Sequence, residues 1–298
     1  MSEKTVIALG FFDGVHIGHG ALLRRTVERA RALGAVPAAF TFDRAPREFV
    51  TGKTVPLLTS AEERAALIRE LYGIEKVIVE PFDRDMMTMP WRAFLENLLV
   101  GKYGAAHLVA GHDYRFGYKN EGTPEVLQRW CAENGLGCDI IPKVELDGVT
   151  VSSTHIRELV EAGEMERAAA FLGHPCGISG VVTHGYGLGT AELFPTVNLI
   201  PEPFRVVPRY GVYAVRVRLA DGTNVPGVTN VGVRPTVSSD GSVTVETHLI
   251  DFSGNLYGKP IRVEFLRFLR PEQKFDSLPA LHRQIAQDIA RAREMVQP

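Results

Sequence analysis

The chain has 298 residues, a formal net charge of −2, 45% hydrophobic and 23% charged residues. That length and balance predict about two globular domains with ordinary cores, and the near-neutral charge excludes a global field that would draw nucleic acid. No stretch approaches the roughly 20 apolar residues of a membrane span, Met1–Thr5 has no signal-peptide character, and Cys131, Cys138 and Cys176 show neither disulfide-framework nor zinc spacing. The expectation is a cytoplasmic chain with neither membrane nor nucleic-acid partners.

The first half alternates strands and helices. Strand-like runs are Val6–Leu9, Val36–Phe42, Lys76–Glu80, His107–Ala110 and Cys138–Ile141. Between them the spacing predicts helices over Ala21–Leu33, Ala61–Tyr72, Pro90–Tyr103 and Pro124–Asn134. In the second of these, Leu67, Ile68 and Leu71 read as the apolar stripe, with Glu62, Glu63, Arg64 and Arg69 facing solvent. This order implies a parallel sheet covered on both faces. Short helices follow at Thr154–Ala162 and Met165–Phe171, and Leu172–Gly177 breaks the pattern. That break divides the chain into domains 1–172 and 178–298. Beyond it come the alternating strands Gly211–Leu219, Val243–Ile250 and Ile261–Leu269, with a turn at Asp221-Gly222. In the last strand Ile261, Val263, Phe265 and Arg267 fall on one face by simple alternation. The chain closes on a helix from about Ser277 with Leu278, Leu281, Ile285 and Ile289 on one stripe. The architecture is an α/β parallel-sheet domain followed by a small β-barrel with a C-terminal helix.

Gly10-Phe11-Phe12-Asp13-Gly14-Val15-His16-Ile17-Gly18-His19 sits where the first strand turns into a helix. Free N–H groups and the dipole at such a helix start suit phosphate, and Gly10, Gly14 and Gly18 admit close approach of the backbone. His16 and His19 can donate to oxygens of an α-phosphate and of a leaving pyrophosphate. Asp13 either steers the turn or contacts ligand. No G-x-G-x-x-G opens the helix, and Gly52-Lys53-Thr54 is not a P-loop tail because position 47 is Arg47. Ser152, Ser153 and Thr154 open a later helix with Arg157 one turn in, a hydroxyl and guanidinium set suited to a triphosphate. The run Gly111-His112-Asp113-Tyr114-Arg115-Phe116-Gly117 either holds a planar ligand or is an ordinary loop.

In the second half Gly185, Gly187 and Gly189 form a loop whose amides can face phosphate. Thr196 and Asn198 lie two apart, so in a strand they share a face and offer hard oxygen ligands to Mg²⁺ carried with ATP. Glu246, opposite the apolar face of Val243, Val245 and Leu249, is either a solvated glutamate or a general base toward an alcohol attacking a γ-phosphate.

The three N-terminal stretches, Gly10–His19, Gly111–Gly117 and Ser152–Arg157 in chain order, resemble the adenylyltransferase module of the prokaryotic bifunctional riboflavin kinase/FAD synthetases. So do Gly185–Gly189, Pro195–Asn198, Gly232–Thr236, Val245–Phe252, Tyr257-Gly258 and Leu269–Phe275 for its kinase module. The resemblance covers almost the whole chain. It implies a nucleotidyltransferase-type Rossmann-like domain and a riboflavin-kinase-type barrel. It also implies Mg²⁺ as cofactor, ATP as co-substrate, phosphorylation of riboflavin to FMN and adenylylation of FMN to FAD, with room for a homo-oligomer. By the same match His16 and His19 would contact ATP phosphates, with Gly10, Phe11, Asp13, Gly18, Ser152, Ser153, Thr154 and Arg157 around the nucleotide. Asp113 and Arg270 would contact flavin, Thr196 and Asn198 would bind Mg²⁺, and Glu246 would activate the ribityl hydroxyl. Two departures stand out. Arg44-Ala45 replaces a Pro-His pair after the second strand, with Arg44 a substitute charge, and Thr190 with Glu192-Leu193 alters the glycine loop. A riboflavin kinase with a weakened first domain, or a flavin- or nucleotide-binding regulator without turnover, stays open as an alternative.

Overall fold

The computed structural model describes residues 3–183, 196–233 and 243–296. They fall into two compact units, Met1–Ser153 and Thr154–Pro298.

The first unit runs β1 (Thr5–Leu9), α1 (Ile17–Leu33), β2 (Val36–Phe42), α2 (Pro46–Thr51), α3 (Ala61–Tyr72), β3 (Lys76–Glu80), α4 (Arg84–Thr88) and α5 (Trp91–Ala93). A π-helical stretch, Phe94–Lys102, continues α5. Then come β4 (Ala105–Gly111), α6 (Pro124–Glu133), β5 (Gly137–Ile141) and the small hairpin of β6 (Glu145–Leu146) and β7 (Val149–Thr150). The five main strands are parallel, in the order β3-β2-β1-β4-β5. Strand order reverses at β1, so the turn leaving β1 opens at the topological switch point. Every residue of β1 is buried. Ile7 and Leu9 pack with Phe40, Phe94 and Leu99 on one face, and Val6 and Ala8 with Leu23, Ile68 and Val109 on the other. Burial on both faces is why β1 reads as a continuous apolar run.

Two local expectations change here. Helix α1 starts at Ile17 rather than Ala21, because His16 caps it and its Nδ1 accepts the His19 N–H at 3.2 Å; the cap outweighs the weak helix propensity of Gly18 and Gly20. Arg64 does not face solvent. It is fully buried on the face of α3 that carries Ile68, one turn further on, while Leu71 is 40% exposed.

The second unit holds α7 (Ser153–Ala162, entered from the last residue of the first), α8 (Met165–Leu172), β8 (Cys176–Val181), β9 (Thr196–Leu199) and β10 (Gly211–Leu219). It continues with β11 (Asn224–Val233), β12 (Val243–Leu249), β13 (Pro260–Arg270) and α9 (Leu278–Met295). The six strands form one antiparallel sheet, β8-β13-β10-β11-β12-β9. Its two ends meet where Thr183 N–H donates to Asn198 O at 3.0 Å, which curls the sheet toward a barrel. Helix α9 lays Ile289 and Ala292 on Val212, Ala214 and Val228. Helix α8 packs on β8 and β13 and ties Glu166 to Arg267. Residues 154–172 thereby cluster with the barrel, upstream of the break read from sequence.

Simple alternation fails in β13. Register shifts against β10 between Val212 and Tyr213 and between Ala214 and Val215 change the phase, so Arg267 turns out to solvent while Val263 and Phe265 stay buried. A bulge does this by adding an unpaired residue to one strand.

Candidate active sites

In the first unit the β1 exit is tightly wound. Phe12 and Val15 take positive φ of 57° and 44°, and Gly14 takes 79°. Gly10 is required by space, since a Cβ there would come 2.9 Å from the Phe12 ring. The turn delivers His16 to the α1 N-terminus and stacks its ring on His19, with centroids 3.5 Å apart and planes 13° from parallel. Phe12 meets His19 edge-on at 5.2 Å. Burial first, then His16, then Arg64 hold the His19 pKa well below the ordinary histidine range, so His19 is neutral at neutral pH. His16, accepting through Nδ1, carries its ring proton on Nε2 when neutral.

Asp13 is 3% exposed, and its Oδ1 accepts from Leu58 N (2.9 Å), Thr59 N (3.1 Å) and Thr59 Oγ1 (3.3 Å). This joins the turn to the approach to α3, where Ser60 and Glu63 form a capping box. The observation favours the turn-anchoring alternative for Asp13. Ser153 Oγ donates to Asp13 O at 2.9 Å, which brings one of the three predicted hydroxyls to the turn. Thr154 and Arg157 belong to the second unit, where the guanidinium donates to Thr154 Oγ1 at 3.1 Å. Arg44 is exposed and pairs with Asp43, and Ala45 is buried at the start of α2.

Sequence reasoning missed Arg64. Its guanidinium lies 4.4 Å from the Phe11 ring centre and donates through Nη2 to Phe42 O at the end of β2. Burial lowers its pKa to about 10, with Asp13 opposing, so it stays charged. The available signal was its spacing of four from Ile68, which places it on the apolar face.

An aromatic cavity of about 650 Å³ lies beside the β2 and β4 ends, lined by Phe42, Met86, Met89, Phe94, Tyr114 and Phe116 among others. Tyr114 and Phe116 stack at 5.7 Å, and Phe94 meets Phe116 at 5.6 Å. Burial pushes the Tyr114 hydroxyl pKa up, so it stays protonated. The loop read as a planar-ligand candidate thus contributes its aromatic residues to a cavity, whereas the Asp113 side chain is exposed beside Gly111.

In the second unit Asn198, Glu246 and Asn230 are register partners in a row across β9, β12 and β11. Thr196 Oγ1 donates to Glu246 Oε1 at 2.8 Å. A cavity of about 400 Å³ is lined by Thr196, Asn230, Glu246, His248, Arg270 and Phe275, with Leu281 and Ile285 of α9 closing one side. Arg270 is held by Asp288, which is 1% exposed, through contacts of 3.0 and 2.8 Å, and Gln284 Nε2 donates to the same carboxylate at 3.0 Å. Asn230 Nδ2 donates to Glu272 Oε1 at 2.9 Å. Asn230, Glu272 and Asp288 were not singled out from sequence, because their partners lie on other elements. Gly185, Gly187 and Gly189, the altered loop positions Thr190, Glu192 and Leu193, and Arg234–Thr236 lie outside the described residues.

Among the described residues no helix is long and apolar enough to cross a membrane. The FAD synthetase family profile matches residues 1–155 and the riboflavin kinase profile residues 172–296. A bifunctional riboflavin kinase/FMN adenylyltransferase of Pseudomonas fluorescens is 39% identical over 98% of this chain and 93% of its own length. The protein so named in Escherichia coli K12 is 38% identical over the same shares. A solved structure described as a macrolide-efflux protein from Streptococcus pneumoniae has a TM-score of 0.87 at 28% identity, covering 99% of this chain and 96% of that one. With a parallel-sheet unit and a curled antiparallel unit each matching one module, the chain belongs to the bifunctional riboflavin kinase/FMN adenylyltransferase family and is an enzyme with both activities.

Proposed function

We propose that the two reactions use separate sites. Adenylyl transfer takes place at the His16–His19 turn within residues 1–172, and riboflavin phosphorylation at the Thr196–Glu246 row within residues 178–298. The carrying observation for the first is the stacked imidazole pair at the N-terminus of α1. In this reaction an oxygen of the FMN phosphate attacks the α-phosphorus of ATP and pyrophosphate leaves. No covalent bond to the enzyme is needed, so positioning and charge stabilisation supply the rate. Neutral His19 and the Nε2–H of His16 donate to the phosphate oxygens, and the free N–H groups of α1 add their dipole. The aromatic cavity offers stacking faces for the isoalloxazine ring, and Ser153 fixes the turn through Asp13 O.

In the second site Glu246 takes the proton from the ribityl 5′-hydroxyl as that oxygen bonds to the γ-phosphorus and ADP departs. Thr196, already hydrogen-bonded to Glu246, orients the base. The oxygens of Thr196 and Asn198 are hard donors that fit Mg²⁺ bound with ATP. When present, the ion would neutralise phosphate charge. Arg270, held by Asp288, lines the flavin side. ATP-dependent cofactor synthesis of this kind supports a cytoplasmic location.

The test supplies riboflavin or FMN with ATP and Mg²⁺ to the purified chain and separates the flavins by chromatography. Glu246→Gln is expected to stop FMN formation and spare FAD formation from supplied FMN. His16→Ala and His19→Ala are expected to do the reverse. Loss of both activities in a folded Glu246→Gln protein, or unchanged FAD formation in both histidine variants, would refute the assignment.

A further inference from the structure

Arg64 is the bulkiest of the fully buried side chains among the described residues, at 0% exposure. An arginine is almost never buried that far without being fully paired. Here only Nη2 has a hydrogen bond, to Phe42 O, while Nε and Nη1 have none. The Nδ1 of His19 is also buried without a partner. The carboxylates of Asp13, Glu62 and Asp43 act on the guanidinium through their charge, but none of them hydrogen-bonds its Nε or Nη1. A buried cation with open donors is costly unless something completes it.

The surroundings state the chemistry of what would complete it. The guanidinium stacks on Phe11, and its charge acts on His19, which lies on the first turn of a 17-residue helix with its ring stacked on His16. A planar fork of donors beside a helix N-terminus matches phosphate oxygens. Arg64 also reaches the end of β2, just before the point where Arg44-Ala45 replaces the expected Pro-His pair, whereas Arg44 itself points to solvent.

We propose that Arg64 is a phosphate-binding residue of adenylyl transfer, its Nε and Nη1 completed by oxygens of the nucleotide polyphosphate admitted beside the half-buried Phe11 and His19. The proposal rests on the reading of the His16–His19 turn as the phosphate site.

The experiment uses the full chain with Arg64→Met and Arg64→Lys. It measures FAD formation from FMN against ATP concentration, and the reverse reaction of FAD with inorganic pyrophosphate. Riboflavin phosphorylation is the internal control. The KM for ATP and for pyrophosphate should rise at least about tenfold in Arg64→Met, the effect of losing one charge-assisted hydrogen bond, and less in Arg64→Lys. Riboflavin phosphorylation should not change. Wild-type KM values for both ligands in Arg64→Met would overturn the proposal. If Arg64→Met does not fold, Arg64→Lys decides: it keeps the charge but lacks the fork, and an unchanged pyrophosphate KM overturns the proposal. His19→Ala is run in parallel. If it too forms FAD normally, the underlying reading fails; if it does not while Arg64→Met is unaffected, only the role of Arg64 fails.

Discussion

Removing the Asp13 carboxylate separates its two candidate roles. In Asp13→Ala the N–H groups of Leu58 and Thr59, on residues 3% and 2% exposed, lose their acceptor. Each buried donor left unsatisfied costs about 1–3 kcal/mol, so the first unit should lose about 2–5 kcal/mol after relaxation. With a urea slope of about 1–3 kcal/mol per molar, its midpoint should fall by about 1–2 M. Both tryptophans of the chain, Trp91 and Trp130, lie in the first unit, so tryptophan fluorescence reports on that unit. Asp13→Asn retains an acceptor oxygen and should lose less than half as much. FAD formation should fall with stability, because the segment Asp13 holds leads into α3 and Arg64. An unshifted midpoint in Asp13→Ala with FAD formation abolished would refute the anchoring argument and return Asp13 to ligand contact.

Three further outcomes are expected. Asp139 accepts from Arg29, Arg25 and His107, joining α1 to β4 and β5. The Arg29 hydrogen bond, then those of Arg25 and His107, hold its pKa below the ordinary carboxylate range against the effect of burial. A depressed folded pKa gives stability that is complete above the unfolded value near 3.9 and is lost as pH falls below it. Urea midpoints of the wild type should therefore drop as pH falls below about 4, and Asp139→Asn should flatten that part of the profile; an equally steep profile in the variant would remove the attribution. Asp288→Asn should release Arg270 and raise the KM for riboflavin about tenfold while kcat for FMN adenylylation holds; an unchanged KM would show that Arg270 is positioned without it. Gly10→Ala should impair FAD formation selectively, since its methyl group would displace the Phe12 ring that backs His19; normal FAD synthesis would mean the turn yields to the methyl without cost.

The amino-acid sequence by itself determined what depends on near neighbours. The apolar run before Gly10 specified a strand buried on both faces, Ser60 with Glu63 started α3 at the predicted residue, and Asp221-Gly222 made the β10–β11 turn. His16 and His19 were legible because a separation of three residues puts one at the N-cap and the other on the first turn of the same helix. Thr196 and Glu246 were legible one at a time. That they touch was decided by the pairing of β9 with β12. Arg64 and Asp13 were decided only by the tertiary structure. By residue type an arginine in an amphipathic helix defaults to solvent even where its spacing matches the apolar stripe, and an aspartate in a glycine turn serves ligand and backbone equally well. Their partners, Phe11 and Phe42 for one and Leu58 and Thr59 for the other, are distant in sequence. Propensity, capping and turn chemistry act over a few residues, whereas the burial of a charge and the acceptor it finds are set by which elements the packed core brings together.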